Sequence, residues 1–138
     1  MKKLASFALV LLAGCPADEE LEPQVTLHAL TKPPPASVGT LTTNRFDEIY
    51  EIKLSQGVAL AVGCSELCEA VYGACAAPEL VAGDQALLGV RPLYRLNGGA
   101  GERVIIAKKV GTTTLTATSA CGVQTYVVHI TPRPTGSE

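Results

Sequence analysis

The stretch Thr112-Thr113-Thr114-Leu115-Thr116-Ala117-Thr118-Ser119-Ala120 decides the fold class of this chain. It is dense in β-branched residues, which pack well on a pleated surface and are enriched in strands. Cys121-Gly122 then turns the chain, and a second apolar run, Val123 to Ile130, follows at once. These runs and their turn predict two successive β-strands that close a domain.

The residues upstream repeat this pattern of short apolar runs and turn signals. Two runs show a shared side-chain parity: Phe46, Tyr50, Ile52 and Leu54 in the first, and Val58, Leu60, Val62 and Cys64 in the second. Further short runs are Val25 to Leu30, Ala86 to Val90 and Val104 to Ala107. Short strands at this density predict an all-β sandwich or barrel.

Residues 65–76 fit two kinds of local structure. Cys64, Cys68, Val71 and Cys75 recur at the spacing of one helix face, and Ser65 is a suitable N-terminal cap. Gly73 weakens so short a helix. The sequence of this segment is therefore compatible with a short helix and also with a strand or loop.

The N-terminus has the anatomy of a secretory signal. Met1-Lys2-Lys3 is basic, and the apolar run from Leu4 to Leu12 is well short of the ~20 residues that span a bilayer. Leu12-Ala13-Gly14-Cys15 resembles the lipobox of bacterial lipoproteins. The resemblance implies that the signal peptide, residues 1–14, is removed and that Cys15 receives a diacylglyceryl thioether and an acyl chain such as palmitate. It implies a lipid-anchored protein of the cell envelope, at the outer membrane or the periplasmic face of the inner membrane.

Composition divides the rest of the 138-residue chain into one domain and its flanks. Residues 15–24 are acidic and proline-bounded, which is typical of a spacer that does not fold alone. Residues 25–132 form the predicted domain, and 133–138 a disordered tail. The formal net charge is −2 without a clustered basic face, so no nucleic-acid partner is expected.

The chain has five cysteines. With Cys15 assigned to lipid, an even set of four remains, and in an exported chain such a set reads as two disulfides. The cysteines are Cys64, Cys68, Cys75 and Cys121.

The stretch from Lys108 to Ser119, followed by Tyr126 to Ile130, resembles the C-terminal signature of bacterial immunoglobulin-like domains. Gln56 to Gly63 resembles an early strand of that family, and Ala77 to Val81 its middle. The resemblance covers about Leu54 to Ile130 and implies an immunoglobulin-like β-sandwich of about seven strands. The four cysteines depart from the family, whose members usually have none.

In such a sandwich the second and sixth strands lie in opposite sheets and run the same way. Cys64 and Cys121 then end these strands with inward parity at one pole, which predicts a Cys64–Cys121 bridge and leaves Cys68–Cys75. A helix over 65–75 would favour Cys64–Cys75 with Cys68–Cys121 instead.

The residues nominate no catalytic centre, metal site or cofactor. A zinc ligand set could be imitated by Cys64, Cys68 and Cys75 with His28 or His129, but the cysteines of an exported chain are expected to form disulfides. The glycine-rich run from Asn97 to Glu102 is not followed by a helix that would receive a phosphate, so it predicts a turn.

These features predict a non-enzymatic, lipid-anchored binding or structural module of the cell envelope that acts by surface contact. Its expected partners are the membrane, through Cys15, and an envelope protein or polysaccharide. The alternative is an envelope inhibitor or enzyme-accessory lipoprotein that uses residues 64–76 as a disulfide-braced loop.

Overall fold

The computed structural model describes residues 22–30, 35, 38–99 and 101–135, and in these ranges the chain is all β. Ten strands occur there. Their bounds are β1 Gln24–Ala29, β2 Gly39–Asn44, β3 Ile49–Ser55, β4 Ala59–Cys68, β5 Val71–Ala74, β6 Glu79–Ala82, β7 Leu88–Pro92, β8 Arg103–Ala107, β9 Gly111–Ser119 and β10 Gly122–Thr131.

The strands form two sheets packed as a sandwich. One sheet has the order β1-β4-β8-β7, with β5 added beside the far part of β4, and the other has the order β2-β3-β10-β9-β6. β10 and β3 pair in parallel, and the other neighbours pair antiparallel. The first sheet matches the A-B-E-D order of immunoglobulin domains, and β6, β9 and β10 match C, F and G. The predicted immunoglobulin-like sandwich is confirmed.

The expected number of strands corresponds to this immunoglobulin framework. Within the described ranges, β2, β3 and β5 are additions to the seven positions A to G. The run that ends at Leu54 predicted β3, whereas no apolar run marked β2. β5 lies in the segment that also fitted a helix.

The core lies between the sheets and is built almost wholly from aliphatic side chains. Alternation along β4 and β9 places Leu60, Val62 and Leu115 inside, as their parity predicted. The largest fully buried side chains are Tyr126, Leu27, Ile52, Leu54, Leu88, Ile105, Leu115, Val62 and Val128. Both sheets contribute to this set, so burial of apolar area holds the two layers together.

The short helix considered for residues 65–76 is not formed. β4 continues through Cys68, a two-residue turn of Glu69 and Ala70 follows, and β5 returns along β4. Both turn residues have positive φ, 47° and 64°. That conformation matches the twist of a tight hairpin. The helical spacing of the cysteines was therefore coincidental.

The predicted disulfide pairing is also wrong. Cys64 bridges Cys75 and Cys68 bridges Cys121, with Cα–Cα distances of 5.4 and 5.5 Å. The hairpin register sets Cys75 opposite Cys64. β9 ends at Ser119, so Cys121 lies in the turn beyond it. At that height the neighbouring residue of β4 is Cys68, which lies about 13 Å further along the strand than Cys64. The alternative pairing holds, but because of a hairpin and not a helix.

The register of β1 on β4 fixes where the chain enters the sandwich. Gln24 pairs with Leu67 and Ala29 with Val62. The first residues of β1 therefore lie beside the turn end of the β4–β5 hairpin. The predicted signal peptide, Cys15 and most of the predicted spacer lie outside the described residues, as do 136–138 of the predicted tail. Among the described residues, no helix is of a length and apolarity that would cross a membrane.

Candidate functional site: a disulfide-braced hairpin

The feature that sets this sandwich apart is the hairpin of residues 64–75, here called the braced hairpin. Four registered pairs hold its arms together, from Ser65 opposite Ala74 to Cys68 opposite Val71. The Cys75 N–H also donates to the Cys64 carbonyl oxygen at 3.0 Å. The segment predicted as a disulfide-braced loop is thus a regular strand pair.

Two covalent links fix the braced hairpin at its two ends. The Cys64–Cys75 bridge closes its base, where both cysteines are buried. The Cys68–Cys121 bridge ties its turn end to the β9–β10 turn of the opposite sheet. A surface held in this way loses little conformational entropy when it binds.

The outer part of the braced hairpin exposes two large apolar side chains. Val71 is 69% exposed and Tyr72 is 72% exposed. Tyrosine combines a large contact area with a polar end and few rotatable bonds, and it is enriched at protein interfaces. Four cysteines therefore frame a hairpin whose exposed apolar side chains lie on opposite faces, because neighbours along a strand alternate: Val71 on the face of Cys68 and Tyr72 on the face of Leu67.

A shallow depression of about 260 Å³ lies beside the hairpin, between it and the β7–β8 loop. His28, Ser65, Tyr72 and Glu102 are among its lining residues. Ser65 Oγ lies 3.2 Å from His28 Nδ1. Sequence reasoning did not connect these two residues, because their contact depends on the β1–β4 register, which pairs Thr26 with Ser65.

Glu102, at the far side of this depression, has a different partner. Its two carboxylate oxygens accept hydrogen bonds from Arg95, with an Nε–Oε2 distance of 2.8 Å. These bonds are the main reason why the pKa of Glu102 is lowered. The carboxylate therefore stabilises the β7–β8 loop, and Ser65 with His28 makes a polar contact at the hairpin base.

A buried carboxylate lies under the turn end of the hairpin. Glu66 continues the inward parity of β4 and is 9% exposed. Its Oε1 accepts from the Ala76 N–H at 3.2 Å, and within the described part of the chain its Oε2 has no hydrogen-bond partner. A ligand oxygen of Glu66 and the sulfurs of Cys68 and Cys121 all lie within 4.8 Å of one another. Because those sulfurs are bonded to each other, they are not thiolates that bind a metal.

The described fold and site define the molecule as an immunoglobulin-like β-sandwich with a disulfide-braced hairpin at the end where the chain enters. No family model, no curated protein and no solved structure matches the chain.

Proposed function

We propose that the chain is a lipid-anchored module of the bacterial cell envelope that binds or supports a partner by surface contact and catalyses no reaction. The signal-like N-terminus with Leu12-Ala13-Gly14-Cys15 supports the anchor. The two disulfides support an exported chain, because such bonds persist in oxidising compartments. The partner is an envelope protein or polysaccharide.

The observation that carries this proposal is the braced hairpin with its exposed Val71 and Tyr72. Apolar side chains scattered over a surface are ordinary, but these two stand on a segment with covalent links at both ends. A rigid, partly apolar surface of this kind suits recognition, because most pre-organised interfaces move little between the free and bound states.

Site-specific photocrosslinking in intact cells tests the contact. A photoreactive phenylalanine analogue at position 72 is expected to capture a specific partner. The same analogue in place of Phe46, which is fully exposed in the β2–β3 turn, is the matched control. Capture at position 72 should disappear when Leu67→Ser is added to the same chain, because Leu67 lies opposite position 72 on the same face of the hairpin. Equal capture at positions 72 and 46, or capture unaffected by Leu67→Ser, would contradict the proposal.

A second candidate function is inhibition of, or assistance to, an envelope enzyme through the same hairpin. The bridge that closes its base favours this function, since rigid loops that enter active-site clefts are held in their bound conformation before binding. If the captured partner is an enzyme, its activity should change on addition of the chain. The variant with Val71→Ser and Tyr72→Ser should leave that activity unaltered.

A further inference from the structure

A second surface, separate from the braced hairpin, lies where the sandwich is open between the edge strands β6 and β7. A groove of about 420 Å³ runs there. Its lining residues include Leu80, Ala82, Leu88, Val90, Arg91 and Lys108. No lining residue of the groove belongs to residues 64–75, so the two surfaces share no side chain.

The β7 edge presents backbone groups that β8 does not use. Leu93 N donates to Glu102 O at 3.1 Å, and Lys108 N donates to Leu87 O at 2.8 Å. Bonded pairs alternate along an antiparallel ladder. Counting from these two pairs, Val90 lies at a position whose N–H and C=O point away from β8. β7 ends its sheet, so these groups face the groove.

The β6 edge, on the other side of the groove, has the same character. Gly83 N donates to Thr114 O at 2.8 Å, which marks a bonded pair between β6 and β9. By the same alternation, the backbone groups of Leu80 and Ala82 point away from β9. β6 ends the second sheet. The groove is therefore flanked by two strand edges.

Some other outward N–H groups of the strand edges already have partners within the chain, and on β7 the Leu88 N–H donates to the Asp84 carbonyl oxygen at 3.1 Å. Leu27 also points its N–H away from its neighbour β4, but that N–H donates to the Tyr126 hydroxyl at 2.9 Å. A side chain of the opposite sheet thus occupies the edge group of β1. Unoccupied strand edges are templates for pairing with another chain, and proteins commonly cover or charge them.

The charge of the groove is of one sign. Its charged lining residues are Arg91, Arg103 and Lys108, and no acidic residue lines it among the described residues. Lys108 Nζ donates to Gln85 O at 3.0 Å, which places the ammonium group across the outer face of β7. The floor beneath these cations is apolar and includes Leu80, Ala82 and Leu88.

We propose that this groove binds an extended acidic peptide segment of a partner protein, which adds to the edge of β7 as a further strand. Main-chain hydrogen bonds to Val90 supply affinity in this mode of recognition, and alternate side chains supply specificity. A peptide that alternates apolar and acidic residues places the first kind on the apolar floor and the second beside Arg91 and Lys108. This proposal does not depend on the lipid anchor or on the braced hairpin.

Peptide binding to the full chain, purified in mild detergent, tests the charge component. The probe is a short blocked peptide of alternating valine and glutamate, and its matched control alternates valine and lysine. We expect saturable binding of the glutamate peptide only, weakened at high salt and by at least about tenfold in the double variant R91E/K108E. Equal binding of both peptides, or affinity unchanged in R91E/K108E, would overturn the proposal.

Val90→Pro tests the strand addition itself. Proline at this position removes an N–H that points into the groove and leaves the β7–β8 bonds in place. Val90→Ala is the matched control, because it also shortens a half-buried side chain and keeps the N–H. We expect binding to be lost in Val90→Pro and kept in Val90→Ala.

A change in the probe keeps the test decisive if Val90→Pro unfolds. N-methylation of alternate amides leaves the side chains of the glutamate peptide intact and removes its pairing edge. The methylated peptide is expected not to bind the unmodified chain. Binding as tight as that of the parent peptide would show that the groove does not add a strand.

Discussion

At the scale of single residues, Tyr126 joins the two sheets by a hydrogen bond. It is fully buried on β10, and its ring packs edge-to-face on Tyr50 with centroids 5.6 Å apart. Its hydroxyl accepts from the Leu27 N–H of the opposite sheet and lies 2.8 Å from Thr43 Oγ1. Burial raises the pKa of this phenol. Its neutral form is therefore the one that the folded state stabilises.

Tyr126→Phe should destabilise the domain by about 1–3 kcal/mol, because it leaves the buried Leu27 N–H without its acceptor. Urea denaturation measures the change. Tyr50→Phe is the matched control, since it removes a hydroxyl from the partner ring in the same aromatic pair. Equal losses of stability in the two variants would refute the role of the Tyr126 hydroxyl as the acceptor for the N–H of Leu27 on the edge strand β1.

Glu102 makes stability depend on pH in the acid range. Hydrogen bonds from Arg95 lower the pKa of Glu102 in the folded state. Its contribution to the free energy of unfolding is therefore fully present above the pKa of the unfolded chain, about 4.3. The contribution is lost as the pH falls through the lower folded pKa. Melting temperatures measured across this range should fall less steeply in Glu102→Gln and in Arg95→Gln than in the unaltered chain. Parallel profiles in all three proteins would rule out this pair as a source of the dependence.

At the scale of the element, the turn of the braced hairpin is strained, because its two residues have positive φ and neither is glycine. Ala70 has φ of 64°, a region that glycine adopts without the clash of a Cβ atom. The neighbouring Glu69, with φ of 47°, carries the same strain. The two disulfides hold a turn that its own residues disfavour.

Ala70→Gly should therefore stabilise the domain by about 0.5–1 kcal/mol, measured by urea denaturation. Ala74→Gly, four positions later in β5, is the control. It should destabilise by roughly 0.5–1 kcal/mol, because glycine inside a regular strand only adds entropy to the unfolded chain. Destabilisation by both substitutions would show that the turn is not strained.

The whole molecule depends unequally on its two bridges. In the loop-entropy model, the Cys68–Cys121 bridge, with a sequence separation of 53, contributes about 4 kcal/mol. The Cys64–Cys75 bridge, with a separation of 11, contributes about 3 kcal/mol. Denaturation of C68A/C121A and C64A/C75A should give this order. A larger loss in C64A/C75A would mean that the local packing of the hairpin outweighs loop closure.

The proposed anchor is tested on the whole chain in cells. Cys15→Ala should release the protein from the membrane fraction or leave it unprocessed, because each buried methylene of an acyl chain contributes about 0.8 kcal/mol to membrane binding. Fractionation and intact mass measure the outcome. A Cys15→Ala chain that stays membrane-bound at the mature mass would refute the anchor.

Much of the fold could be predicted from the sequence because alternation and turn residues are local signals. β9 and β10 follow the threonine-rich run and the Cys121-Gly122 turn closely. The inward positions of β4 were likewise predicted. Such parity gives the direction of a side chain but not its height along the sandwich, and that height decided which cysteine meets Cys121.

The candidate site was less accessible to sequence reasoning. Glu69 and Ala70 are not the residues that usually mark a tight hairpin, so the turn that creates the braced hairpin carried no signal. The contact between Ser65 and His28 joins residues 37 positions apart through a strand register. The β6–β7 groove arises from strand order alone, which a pattern in one segment does not encode.

The β1–β4 register has a further consequence in terms of reach. Gln24 lies beside Leu67, so the chain enters the sandwich next to the turn end of the braced hairpin. With a lipid on Cys15, the nine residues up to Gln24 would span at most roughly 30 Å. The end of the sandwich that carries the hairpin would then stay within roughly 30 Å of the lipid surface. A molecule embedded in, or lying directly on, the same membrane leaflet would be within reach of the hairpin.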